Sequence, residues 1–403
     1  MPTLAFHSFL VPCLSFPRRL AKGGSMEKSL KHRLVYLDFL RGSAALLVCI
    51  SHLSAFLFIP FNQISSPGSI EKVFYFFSTL GHQAVLLFFV LSGFLVGGSV
   101  IKLFQQHRWS WEKYLLRRLT RLWVVLIPAL LLTLFWDTLG EGINQAGYHG
   151  AFFQISGSGP DPATPANHGL AAFLGNIFFL QTIVVPVYGS NGPFWSLSNE
   201  FWYYLIFPIL LAVFAPSRGI VRVGYLLLLA LLCKFLPWTI LSLGLAWGLG
   251  AAVFFCLQNV RFHKVASHPL FCMASIALIL LILVMSRLGK LGGHFDMTLA
   301  IGFTPLVAAL AVRTATAGIF TRVSAAASEF SYTLYLVHFP VMAFFFYSFF
   351  SGRQMPLGLA GGGIFCAVLV IIILYAAAIW WCFERNTDRF RRLIEGRLLS
   401  RIL

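Results

Sequence analysis

The sequence predicts an all-α polytopic membrane protein of about ten transmembrane helices, with a re-entrant or interfacial segment near 170–196. Three observations lead there. Apolar residues make up 58% of the 403-residue chain and charged residues only 11%, against the roughly one quarter of charged residues that a soluble domain carries. The mean hydropathy is +0.82. The apolar residues also gather in runs of bilayer length, about 20 residues each, with lysines and arginines at the ends of those runs. A core of this size in water would need a far larger polar shell, which excludes a soluble enzyme, a disordered chain, a coiled coil and collagen.

The chain reads as a basic tail (1–33), one membrane domain (34–384) and a second basic tail (385–403). Residues 4–16 are mildly apolar but short. Arg18 and Arg19 follow them rather than precede them, the wrong order for a secretory signal. Met26 opens a more ordinary start, so residues 1–25 are read as a loose tail or a start-site artefact. Spans are expected near 34–58, 73–101, 119–136, 197–214, 221–236, 238–257, 268–287, 297–312, 330–351 and 359–383. A further run, 170–187, is shorter and ends in Val-Pro-Val-Tyr-Gly-Ser-Asn-Gly-Pro.

Charge decides whether that run crosses. If it does not, and the N-terminus is cytoplasmic, 24 of the 30 lysines and arginines lie inside, 5 lie outside, and Arg41 lies within a span. If it did cross, every later span would invert and the C-terminal arginines would face outward, against the positive-inside rule. Ten spans in a plasma (inner) membrane with both termini cytoplasmic are therefore expected, and the polar connection 137–168 falls outside. The formal charge of +17 is topological, and no nucleic acid is expected as a partner. The seven cysteines form no C-x-x-C pair, so they are read as buried small hydrophobes. No metal is expected.

Ionisable groups inside apolar helices cost about 2.5–3.5 kcal/mol at a helix centre, which makes them the place to look for function. Arg41 and His52 stand eleven residues apart in the first span. At 100° per residue they share one helical stripe, separated by a rise of about 16.5 Å. Arg41 either snorkels while pairing with Asp38, or belongs to a site; His52 either packs quietly or faces a substrate. Arg117, Arg118 and Arg121 open the third span. They serve as its positive flank or, joined to a helix N-terminus, as a phosphate site. In Trp195-Ser196-Leu-Ser-Asn-Glu200 the serine and glutamate share a face, as a cap with its acidic complement or as site residues at the depth of His52. His82 and His338 are further intramembrane histidines, with ordinary packing as the plainer reading.

These stretches together resemble the integral-membrane acyltransferase 3 family, of the O-acyltransferase type without an SGNH extension. The Arg41-x10-His52 spacing, Phe-Phe-Val-Leu-Ser-Gly-Phe-Leu at 88–95, Arg118-Leu-Thr-Arg121, Trp195-Ser-Leu-Ser-Asn-Glu200 and Ser-Tyr-Thr-Leu-Tyr-Leu-Val-His at 331–338 follow the family's motifs in order. They cover residues 34–390. The sequence departs at Leu86, where an acidic residue is common, and after Glu384, where many members have a proline two residues on.

The resemblance implies transfer of an acyl group, commonly acetyl, from acyl-CoA as donor substrate to a hydroxyl of a sugar, polysaccharide or lipid-linked glycan, with no permanently bound cofactor. Arg41, Arg118 and Arg121 would hold CoA phosphates. His52 would act on the acceptor hydroxyl or carry the acyl group transiently, with Glu200 orienting it or binding the sugar. Trp195, Ser196, His82 and His338 would contact substrate. A transporter or flippase of a glycan or amphipathic solute is the alternative reading of ten helices and a polar stripe, although it needs no CoA-phosphate site.

Overall fold

The computed structural model describes residues 34–216 and 218–399; the expected tail 1–33 and residues 400–403 lie outside them. Among the described residues there is no strand, only helices and their connections. A helix satisfies its own backbone polar groups, which is what a span in lipid requires.

The first span is α1 (Val35–Leu57). The second is α2 (Ser69–Ser78), α3 (Gly81–Ser92) and α4 (Gly98–Gln105), interrupted at Thr79–Leu80 and by a π-turn at Gly93–Gly97. Then follow α5 (Trp111–Glu141), the short α6 (Leu170–Ile177), α7 (Phe194–Phe214), α8 (Gly219–Phe235) and α9 (Trp238–Cys256). The chain continues through α10 (Pro269–Arg287), α11 (Phe295–Ala311), α12 (Ile319–Phe350), α13 (Leu359–Cys382) and α14 (Thr387–Leu399). Nine helices among the described residues are long and apolar enough to cross a membrane. The remaining expected span is α8, an apolar helix of 17 residues that packs on α7.

The segment 170–196 does not form a spanning helix. Its helix α6 has eight residues, about 12 Å of rise. Turns through left-handed backbone at Phe179, Thr182 and Gly189 then lead into α7. Phe179, Gln181, Ser190 and Asn191 are fully buried, whereas Thr182 and Val184 are exposed. This irregular backbone is therefore packed in protein at Phe179, Gln181, Ser190 and Asn191, where it is tolerated, and open between them. Asn191 donates to the Leu336 carbonyl at 2.8 Å. That oxygen lacks its usual helical donor because Pro340, four residues on, has no N–H.

Two helix boundaries differ from expectation. α5 begins at Trp111 with Ser110 as its N-cap, eight residues before the hydrophobic run, and α12 begins at Ile319. Hydropathy marks the part of a helix suited to lipid, not the whole helix. The cysteines also differ: among the six described, Cys49 is buried, Cys272 is partly exposed, and Cys233, Cys256, Cys366 and Cys382 are exposed. A membrane helix is apolar all round, so composition cannot tell its protein face from its lipid face.

The most extensive helix pair is α1 with α12. It closes at Gly42, where an added Cβ would lie 2.6 Å from Ala327 Cβ. The end of α3 closes on α9 in the same way: a Cβ on Gly250 would sit 1.9 Å from the Val90 carbonyl oxygen. Small residues permit such approaches in the membrane, where no hydrophobic force drives helices together. The first contact aligns Arg41 and His52 with α12; the second brings Trp247 against Ser92.

Candidate active site

Arg41 and His52 both meet α12. The Arg41 guanidinium bonds Asp38 Oδ1 at 3.0 Å and Ser328 Oγ, and Ser328 donates to the same aspartate oxygen at 2.9 Å. Three turns on, His52 Nδ1 lies 2.9 Å from His338 Nε2. The two rings stack with centroids 5.2 Å apart and planes 15° from parallel.

Glu200 is seven residues into α7 and accepts from Ser92 Oγ at 2.8 Å and from the Tyr204 hydroxyl. Trp247 Nε1 donates to Ser92 Oγ at 3.1 Å. These partners, rather than His52, receive the carboxylate. The N-cap of α7 is Pro193, so Ser196 and Ser198 do not cap the helix. Ser196 Oγ bonds Tyr335 Oη at 2.6 Å, and Ser198 donates to the Phe179 carbonyl at 2.8 Å.

Arg41, Arg118 and Arg121 line one cavity of about 340 Å³ with Ser92, Ser196, Glu200, Tyr204 and Tyr335. Arg118 lies over the Tyr204 ring, 5.9 Å from its centroid. The buried Nε atoms of Arg41 and Arg118 have no hydrogen-bond partner among the described residues. With Arg41 already paired to Asp38, Arg118 and Arg121 against Glu200 leave the lining net positive. The helix dipole does not add to it, contrary to expectation. The unpaired N–H groups of α5 belong to its first turn, and Arg118 stands seven residues further, about 10 Å away, whereas the dipole acts within the terminal turn.

The other expected site residues lie at or beyond the wall. His338 is fully buried, and its ring is 6.0 Å from that of Tyr335, so the histidine pair borders the cavity behind a lining tyrosine. Trp195 meets Phe89, a lining residue, edge-on at 6.1 Å. His82 is half-exposed, does not line the cavity, and pairs with Asp296 of α11 at 2.8 Å.

Sequence reasoning missed Tyr204, Tyr335 and Trp247. Tyr204 stands one helical turn after Glu200, and Tyr335 nearly one turn before His338, spacings that could have pointed to both. Nothing local to Trp247 signals its bond to Ser92.

A second polar cluster lies where α5 ends. Asp137, expected in a loop, is helical and fully buried. It accepts from Ser190 N (2.7 Å), Ser190 Oγ (2.6 Å) and His168 Nε2 (2.8 Å), tying the segment before α7 to α5. Burial alone would lower the His168 pKa. The Asp137 hydrogen bond and the charges of Asp137 and Glu141 outweigh it and raise the group above its ordinary value.

Fold and cavity together define a polytopic helical membrane protein with a cationic intramembrane cavity and a flanking histidine pair. The model of the acyltransferase 3 family, described as an acyltransferase domain, matches residues 34–376. The chain belongs to this family and is a membrane acyltransferase, a transferase of groups other than amino-acyl groups. No curated protein and no solved structure matches it.

Proposed function

We propose that this protein moves an acyl group, acetyl in the first instance, from cytoplasmic acyl-CoA to a hydroxyl of a sugar, polysaccharide or lipid-linked glycan at the outer face of the plasma membrane. The observation that carries the reading is the cavity lined by Arg41, Arg118 and Arg121, of which Arg41 and Arg118 have a buried Nε without a hydrogen-bond partner among the described residues. Guanidinium forks suit phosphate oxygens. Arg118 and Arg121 bind the CoA phosphates, supported by Arg41, while the acyl-thioester arm extends toward Ser196 and Tyr335. The rise of about 16.5 Å from Arg41 to His52 is of the order of that arm.

The acceptor hydroxyl is a poor nucleophile until a base takes its proton. His52, an intermediately buried residue beside the cavity wall, is that base. The hydroxyl oxygen bonds to the thioester carbonyl carbon as its proton passes to His52. The carbon–sulfur bond then breaks, and the proton returns to the departing thiolate, leaving the ester and CoA thiol.

The test uses sealed membrane vesicles of known orientation, labelled acetyl-CoA and a panel of glycans. Transfer is expected only when the donor meets the cytoplasmic face, and is expected to vanish in His52→Ala protein of normal yield. Wild-type turnover in that variant removes His52 from the mechanism. Absence of any melting-temperature rise with acetyl-CoA, which a ligand of the native state must produce, removes the donor site.

A further inference from the structure

We infer that His338 is a positioning residue that sets the tautomer of His52, so that the basic lone pair lies on Nε2. The inference rests on the reading of His52 as the base and deepens it. His338 Nδ1 is 2.8 Å from the Tyr335 carbonyl oxygen and 3.0 Å from that of Leu334. Carbonyl oxygens only accept, so Nδ1 carries the hydrogen. A neutral imidazole carries one N–H, and His338 Nε2 therefore presents a lone pair.

That lone pair faces His52 Nδ1 at 2.9 Å, so His52 Nδ1 must be the donor. The remaining nitrogen, His52 Nε2, is then bare, and it has no hydrogen-bond partner among the described residues. With the opposite His52 tautomer, two lone pairs would confront each other at hydrogen-bond distance. A doubly protonated His338 would bury a cation, and no ion pair among the described residues includes either histidine.

The surroundings hold this arrangement. His338 is fully buried, and Phe339 meets the His52 ring edge-on, with centroids 5.1 Å apart and planes at 89°. The α12 backbone thus dictates, through two imidazoles in series, which nitrogen can take the acceptor's proton. Once Nε2 is protonated, the Nδ1–H bond to His338 becomes charge-assisted and strengthens. A neutral histidine here does what a carboxylate does in a catalytic triad, orienting the base and holding its tautomer.

The test is ¹⁵N NMR of the full-length protein labelled at histidine, in which bare and protonated ring nitrogens resolve. Signals of His52 are assigned with His52→Gln and those of His338 with His338→Gln. A bare Nε2 on both rings at neutral pH is expected; a bare Nδ1 on His52 overturns the inference. Kinetics give a second readout. His338→Phe keeps a planar ring but offers no acceptor, whereas the Gln Oε1 in His338→Gln can replace Nε2. His338→Phe should lower kcat on the order of 100-fold, the lower end of what general-base catalysis contributes, with both KM values nearly unchanged, and His338→Gln should recover most of the loss. Equal losses in both variants, or none in either, overturn the proposal. If His52→Ala keeps wild-type turnover, the base reading fails while the tautomer result stands. A wrong tautomer beside an inactive His52→Ala removes only the positioning role.

Discussion

Replacing Arg118 with lysine separates a phosphate site from a topological charge, because both residues are cationic. Arg118 lines the cavity, lies over the Tyr204 ring, and has a buried Nε without a partner among the described residues. A phosphate oxygen at that nitrogen, with another at a terminal one, gives the two parallel bonds of the guanidinium fork. Lysine keeps the charge but presents a single ammonium on a flexible stem. A hydrogen bond to a charged group is worth about 1.5–3 kcal/mol. Losing one of the two should therefore weaken CoA binding about 10- to 100-fold, at 1.4 kcal/mol per tenfold. Calorimetric titration of purified protein with CoA measures it directly. Arg117→Lys is the control, since Arg117 is exposed and absent from the cavity wall. Arg121→Lys should show a smaller loss, because Arg121 is exposed and solvent screens it. Affinity in Arg118→Lys within twofold of wild type would refute the phosphate site and leave the positive-inside role as sufficient.

Three other perturbations follow from the same geometry. Glu200→Gln should keep CoA binding and lose at least about tenfold in turnover, the value of one charge-assisted hydrogen bond at ~1.5 kcal/mol; a kcat equal to wild type would detach Glu200 from the reaction. Gly250→Val drives a side chain into the Val90 carbonyl oxygen, with an added Cβ 1.9 Å away. It should destabilise the fold by about 1–3 kcal/mol or more, read as a lower melting temperature, and an unchanged value would contradict the close α3–α9 approach. His168, whose pKa is raised in the folded protein, stabilises the fold fully below its ordinary value near 6.5. That contribution disappears as pH rises through the raised folded value. Thermal stability should therefore fall across this window in the wild type and stay flatter in His168→Gln; identical pH profiles would rule out the Asp137 latch.

Much of the protein is legible in the sequence alone. The spans and their charges are, because transfer of a segment of about 20 residues into lipid depends on that segment's own composition. The shared stripe of Arg41 and His52 is legible too, since helix periodicity is local, and α1 (Val35–Leu57) holds both. The motif order carried the family, which the match over residues 34–376 bears out.

What each polar group meets was decided only in three dimensions. His52 bonds His338, 286 residues later; Glu200 receives Ser92 and Tyr204; His82 turns to Asp296; and Asp137 holds Ser190 and His168. Helices that are apolar on every side carry no periodic signal for the face that meets protein. That choice is made where backbones can approach, at Gly42 against Ala327 and Gly250 against Val90. Those contacts join residues distant in sequence, and a steric fit between distant segments cannot be read from either segment alone.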